Sequence, residues 1–257
     1  MSDSFHVVLI SAPPLSPTKT VLSAVRAIEE ISRESLDVLV GMPPKRLRAR
    51  DAFLRRELSQ QNPNLLVIPS LCSRPGGPGY MSILGSVRGP PSQPEFLYAH
   101  VTVPSSRAEE LCGPLLCRLA EELNAWWGRA SGGALSTLVS SQFRPPTIGG
   151  YEPPSFKAPR GLPELTDSLD APSRPYELGW LNWWSPESAE LAGLGDPEKS
   201  GGVSLIRRDA GGWLIELTPR PLDPTKADDL ETLRKAFDRF PGVGRIPKGD
   251  REAVRGR

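Results

Sequence analysis

Val203-Ser204-Leu205-Ile206-Arg207-Arg208-Asp209-Ala210-Gly211-Gly212-Trp213-Leu214-Ile215-Glu216-Leu217-Thr218 is the stretch on which the fold turns. The β-prone runs 203–208 and 213–218 flank Asp-Ala-Gly-Gly, where glycine supplies the positive φ that a tight antiparallel connection requires. Trp213, Ile215 and Leu217 alternate onto one face and leave Glu216 on the other, the pattern of a strand with one side buried. Just upstream, Gly179-Trp180-Leu181-Asn182-Trp183-Trp184-Ser185 holds half of the six tryptophans. Residues 176–184 predict a strand in which Trp180, Asn182 and Trp184 share one face and Leu181 and Trp183 the other. Ser185-Pro186-Glu187 then opens a short helix, with serine at the cap and proline in the first turn.

Downstream, Asp223-Pro224 predicts the start of a last helix, with Leu230, Leu233, Phe237 and Phe240 as its apolar stripe and Pro241-Gly242 as its stop. Toward the N-terminus, strands are expected at 5–11, 36–42, 65–68, 80–87, 95–103 and 135–143. A helix follows Thr18, with Val21, Leu22, Val25 and Ile28 on one face. A basic surface helix is expected over 45–60. A long helix is expected from Ser106 to Gly128, its start marked by a Ser106/Glu109 capping box and offset or kinked by Pro114. Strands outnumber helices and hairpin-like neighbours alternate with single helices, so the expected fold is α+β, a largely antiparallel sheet with helices packed on it. The strand-helix-strand plan of each half is compatible with two related lobes. One domain over 1–247 is expected, with Pro-rich connections near 73–94 and 144–175 and a frayed basic tail over 248–257.

Composition narrows the function. Lys and Arg number 31 against 30 Asp and Glu, a net charge of +1, so no global basic field draws in nucleic acid. Cys72, Cys112 and Cys117 cannot all pair within the chain, and the last two have neither disulfide nor CxxC spacing, which predicts buried thiols in a reducing compartment. No leader pattern opens the chain, and no apolar run reaches the roughly 20 residues of a membrane span, so a cytoplasmic protein with no membrane partner is expected.

Motifs for chemistry are sparse. His6 and His100 fall inside strands as core or strand-face residues. There is no G-x-S-x-G elbow, and Gly193-Leu194-Gly195 and Gly76-Gly77-Pro78-Gly79 read as turns rather than phosphate loops. No catalytic residues, metal or cofactor are expected. The rival reading is a hydrolase or transferase whose site is assembled from Glu177, Glu216 and Arg207. The basic run Arg46–Arg56 raises a nucleic-acid contact, but Phe53 is its lone aromatic, which favours a solvated helix face. Tryptophan is enriched at binding hot spots. A protein-binding surface is therefore expected around Trp180, Asn182, Trp183 and Trp184, with Glu187 and Glu190 beside them to meet a basic partner.

The segment 179–185, the strand 212–218, Pro221-Leu222-Asp223, and the closing helix through Ala236-Phe237 and Arg239-Phe240-Pro241 together resemble the bacterial immunity protein 52 family and an uncharacterised branch related to it. The likeness covers the C-terminal third, and Trp183 stands where tyrosine is more frequent. The resemblance implies a cytoplasmic, non-enzymatic antidote that binds a cognate polymorphic toxin, often a nuclease. It carries over no catalytic residue.

Overall fold

The structure is a computed structural model that describes residues 5–13, 17–40, 45–46, 50–60, 65–67, 71–72, 80–87, 96–143, 158–165, 173–195, 203–209 and 211–244. In chain order its elements begin with β1 (Phe5–Ala12), α1 (Pro17–Ser32), β2 (Asp37–Val40), β3 (Lys45–Arg46) and α2 (Arg50–Gln60). Next come β4 (Leu65–Val67), β5 (Leu71–Cys72), β6 (Tyr80–Val87), β7 (Leu97–Pro104), α3 (Ala108–Glu122), β8 (Trp127–Gly132) and α4 (Gly133–Ser140). The last are β9 (Leu181–Trp184), α5 (Pro186–Ala192), β10 (Leu205–Asp209), β11 (Gly212–Glu216) and α6 (Ala227–Arg239).

The strands form one sheet in the order β10-β11-β9-β8-β1-β7-β6-β5-β2-β3, with β4 paired to β6, and every ladder is antiparallel. The expected α+β class holds. Both β7 and β8 run antiparallel to β1 and lie on either side of it, so α3 carries the chain over β1 from one to the other.

Helices α1 and α3 cover one face of the sheet's centre. Val8 and Ile10 of β1 meet the stripe Leu115, Leu116 and Leu119 of α3, all 0–1% exposed. Gly128 of β8 makes that approach possible. A Cβ there would sit 2.5 Å from Ile10 Cδ1, 2.8 Å from Leu116 Cδ1 and 2.9 Å from the Leu9 carbonyl oxygen, so any larger residue would force those side chains and the β1 backbone to shift. The other face is covered at the β9 end: α5 packs on β9 and β11, and Trp184 meets Phe240, just past α6, edge-to-face at 4.9 Å.

Local signals placed several elements well. Ser185 caps α5, its Oγ accepting from the Ser188 N–H at 3.1 Å, and Gly193 ends the helix at φ 84°. The hairpin 203–218 forms as β10 and β11.

Elsewhere the structure corrects the sequence. Residues 135–143, expected as a strand, fold mostly as α4, because Leu135 and Val139 are also one helical turn apart and both are buried. The helix expected over 106–128 stops at Glu122 and is followed by β8. Its start is a 3₁₀ turn at Ser105–Arg107, and the Ser106/Glu109 capping box does not form; Arg107 instead pairs with Glu110 at 3.1 Å. The strand expected over 176–184 is regular only from Leu181. The basic run 45–60 divides between β3 and α2, where Arg50 turns inward to Glu29 and the Leu36 carbonyl. The last helix starts at Ala227, with Arg220 clamping Asp229 by two bonds of 2.8 Å. The connections near 73–94 and 144–175 lie largely, and the tail 248–257 wholly, outside the described residues.

Candidate functional site

Strand register sets the fate of the tryptophan segment. Leu181 and Trp183 point toward α3, and Leu181 Cδ1 lies 3.8 Å from where a Cβ on Gly113 would be. Trp184 points the other way, toward Phe240. Helices cover both faces here, so both sets are interior: Trp180 and Trp183 are 3% exposed, Asn182 and Trp184 0%. Trp183 donates from Nε1 to the Asp209 carbonyl at 3.1 Å, tying β9 to the hairpin. Asn182 accepts from the Gly179 N–H and donates to the Gly179 carbonyl, both at 2.9 Å, closing the approach to β9 with its own side chain. Glu187 and Glu190 alone of the six expected contact residues are exposed, on α5.

The rival site is not assembled. Glu216 and Arg207 lie on the α3 side of the hairpin, where Glu216 accepts from Ser204 Oγ at 3.0 Å and Arg207 is half exposed beside Asp209. Glu177 is buried on the opposite side of the sheet, against Arg129. Among the described residues no group of His, Cys, Asp and Glu is arranged to hold a metal ion, and no helix is long and apolar enough to cross a membrane.

The groups that do converge were not singled out together by the sequence. The register aligns His100 of β7, Leu9 of β1, Arg129 of β8 and Asn182 of β9 as neighbours in one row across the sheet, on the face away from α3. Arg129 is 5% exposed and Glu177 4%. Arg129 Nε lies 2.6 Å from Glu177 Oε1, an ion pair that lacks hydrogen-bond alignment, while its Nη1 donates to Ser131 and, at 3.3 Å, to Ser136 of α4. Tyr176 adds a ring that meets Trp127, Phe143 and Tyr98 edge-on at 4.8, 5.7 and 6.5 Å. Burial, then the charge of Glu177 and the neighbouring Tyr98, raise the Tyr176 phenol well above its ordinary pKa. Burial and then the Arg129 charge push the His100 imidazole down, so it is neutral near pH 7.

Between these groups lies a partly open cavity of about 330 Å³. Val7 and Leu9 form one wall, Tyr98 and His100 the next, with Arg129, Ser136 and Tyr176 closing it. The one sequence signal was Arg129 itself, a charge amid the small residues of Trp127-Gly128-Arg129-Ala130-Ser131-Gly132.

Neither Cys112 nor Cys117 is poised as a thiolate. Burial raises Cys112 to about 12, and burial together with Asp209 does the same for Cys117. With Cys72 replaced by serine, the folded protein is expected to resist iodoacetamide at pH 8, whereas the urea-unfolded chain takes a label on each of these two free thiols, read by intact mass. Equal labelling of folded and unfolded protein would contradict their placement.

The family described as a domain of unknown function, DUF5953, matches residues 33–247. No curated protein matches the chain. Among solved structures, the Pseudomonas aeruginosa T6SS protein PA0821 is similar with a TM-score of 0.62 at 16% identity, covering 93% of this chain and 76% of that one. At that identity the likeness is one of fold. Neither match is to the immunity protein 52 family.

Proposed function

We propose, on the premise that this chain belongs to the DUF5953 family, that it is an immunity-type protein of the cytoplasm, which neutralises a cognate toxin by binding it and catalyses no reaction itself. The observation that carries the reading is the fold likeness, over 93% of this chain, to a Pseudomonas aeruginosa T6SS protein. A cell that exports toxins needs antidotes against them, and the resemblance of the C-terminal third to immunity protein 52 points the same way. The dispersal of Glu177, Glu216 and Arg207 over both sides of the sheet also favours binding over chemistry.

The buried tryptophans would then serve the partner indirectly, by holding α5 rigid on the sheet, and contact would fall to exposed groups such as Glu187 and Glu190. Charges of this kind steer association with a basic surface. Co-expression with the toxin-like product of a neighbouring gene is expected to restore growth, and the two proteins to co-purify. Replacing Glu187 and Glu190 together by lysine is expected to slow association about tenfold or more at low salt, with the unfolding midpoint unchanged. Failure of the wild-type chain to protect against, or bind, any such neighbour would sink the antidote reading. Unchanged association of the double variant would remove α5 from the interface.

A further inference from the structure

Protein interiors are packed as densely as organic crystals, and voids larger than a water molecule are few. The cavity above the Arg129 row departs from that packing and opens to the surface, where a ligand can enter. Its volume, about 330 Å³, lies at the low end of the range of small-molecule sites, roughly 300–1,000 Å³. Its wall is chiefly apolar, formed by Val7, Leu9 and the rings of Tyr98 and Tyr176, and offers ordered water few partners. The polar groups flank Leu9: the His100 ring on the β7 side, the Arg129 guanidinium and the Ser136 hydroxyl on the β8 side. Such a lining, apolar with a few convergent polar groups, is what a small-molecule pocket presents.

We propose that this cavity binds a small aromatic monoanion, its ring against Leu9, Tyr98 and Tyr176 and its carboxylate-type head on Arg129 and Ser136. Two features select the head. Arg129 is held from behind by Glu177 and gives both Nη1 hydrogens to Ser131 and Ser136, so Ser136 Oγ is an acceptor toward Arg129 and keeps its own proton to donate to a ligand head. The Arg129 charge also reaches across the row, where it disfavours a proton on His100. An acceptor head thus meets the Arg129 guanidinium and the Ser136 hydroxyl together on the β8 side of the cavity. Tyr176, partly exposed at the cavity beside its contacts with Trp127, Phe143 and Tyr98, offers an aromatic wall to an aromatic body. This inference stands apart from the antidote reading and needs none of its residues.

The test is a titration of the full chain with 4-fluorobenzoate and with the neutral 4-fluorobenzamide, followed by fluorine NMR. Saturable binding of the benzoate is expected, with the amide at least about fivefold weaker for want of a charge-assisted bond. Ser136→Phe, filling the cavity from α4, is expected to weaken the benzoate about tenfold or more, the equivalent of one good contact. Should that variant not fold, Leu9→Phe reads the same from the opposite wall. Absence of saturation with either probe up to about 10 mM, weaker than any useful affinity, overturns the proposal. Equal affinity for the two probes overturns the anionic head. Unchanged binding in a folded cavity-filling variant overturns the assignment to this cavity.

Discussion

Arg129→Met is expected to destabilise the protein by about 3–5 kcal/mol, because it strands the Glu177 carboxylate in the interior without a counter-charge. Glu177 is 4% exposed, and its ion pair with Arg129 is the charge partner it has beneath the sheet. The intact pair itself is a different matter. Desolvation of two ions offsets most of their attraction, so exchanging both for apolar residues is far cheaper than removing one. Arg129→Met combined with Glu177→Leu is therefore expected to recover most of the lost stability. Urea unfolding of the single and double variants, followed by tryptophan fluorescence, measures both. A single variant within about 1 kcal/mol of wild type, the cost of an exposed pair, would show that water reaches this site.

Trp184→Ala carries the other large effect. The indole is 0% exposed and packs at 4.9 Å and 88° against Phe240, which follows α6. Truncating a buried aromatic costs about 3–5 kcal/mol, through lost transfer energy and the cavity left behind. Here the void opens where the C-terminal helix is held to the sheet, so near-ultraviolet dichroism is expected to weaken along with the unfolding midpoint. Trp213→Ala is the internal control. That ring is half-buried, its face covered by the Arg208 guanidinium at 4.0 Å, and its loss is expected to cost less. Equal costs at the two positions would mean that Trp184 does not anchor α6.

What could be read from the sequence was what short-range chemistry decides. The Asp-Ala-Gly-Gly turn, the Ser185 cap and the stripe of α1 each depend on a few adjacent residues. In α4 the same apolar residues satisfy periods of both two and 3.6, and β-branched Thr137 and Val139 suit a strand as well as they do this helix. In β8, glycines and small residues hide a central strand, because Gly128 is required by the approach of α3 and that approach is invisible locally. The tryptophans follow the same logic. Alternation assigned Trp183 and Trp184 correctly to opposite faces, but whether either face meets water depends on α3, α5 and α6 arriving from elsewhere in the chain. The Arg129 row went unseen because it exists only once β7, β1, β8 and β9 lie side by side.

The seating of β1 between β7 and β8 imposes an order of events on biosynthesis. Its ladder partners, Leu97–Pro104 and Trp127–Gly132, emerge from the ribosome long after it does. At about 5–20 residues per second, the nascent Val7-Val8-Leu9-Ile10 run waits for some seconds or more without a neighbour. During that interval its unpaired N–H and C=O groups and its apolar side chains are open to pairing with other chains, a hazard that ends only when β7 and β8 close over it.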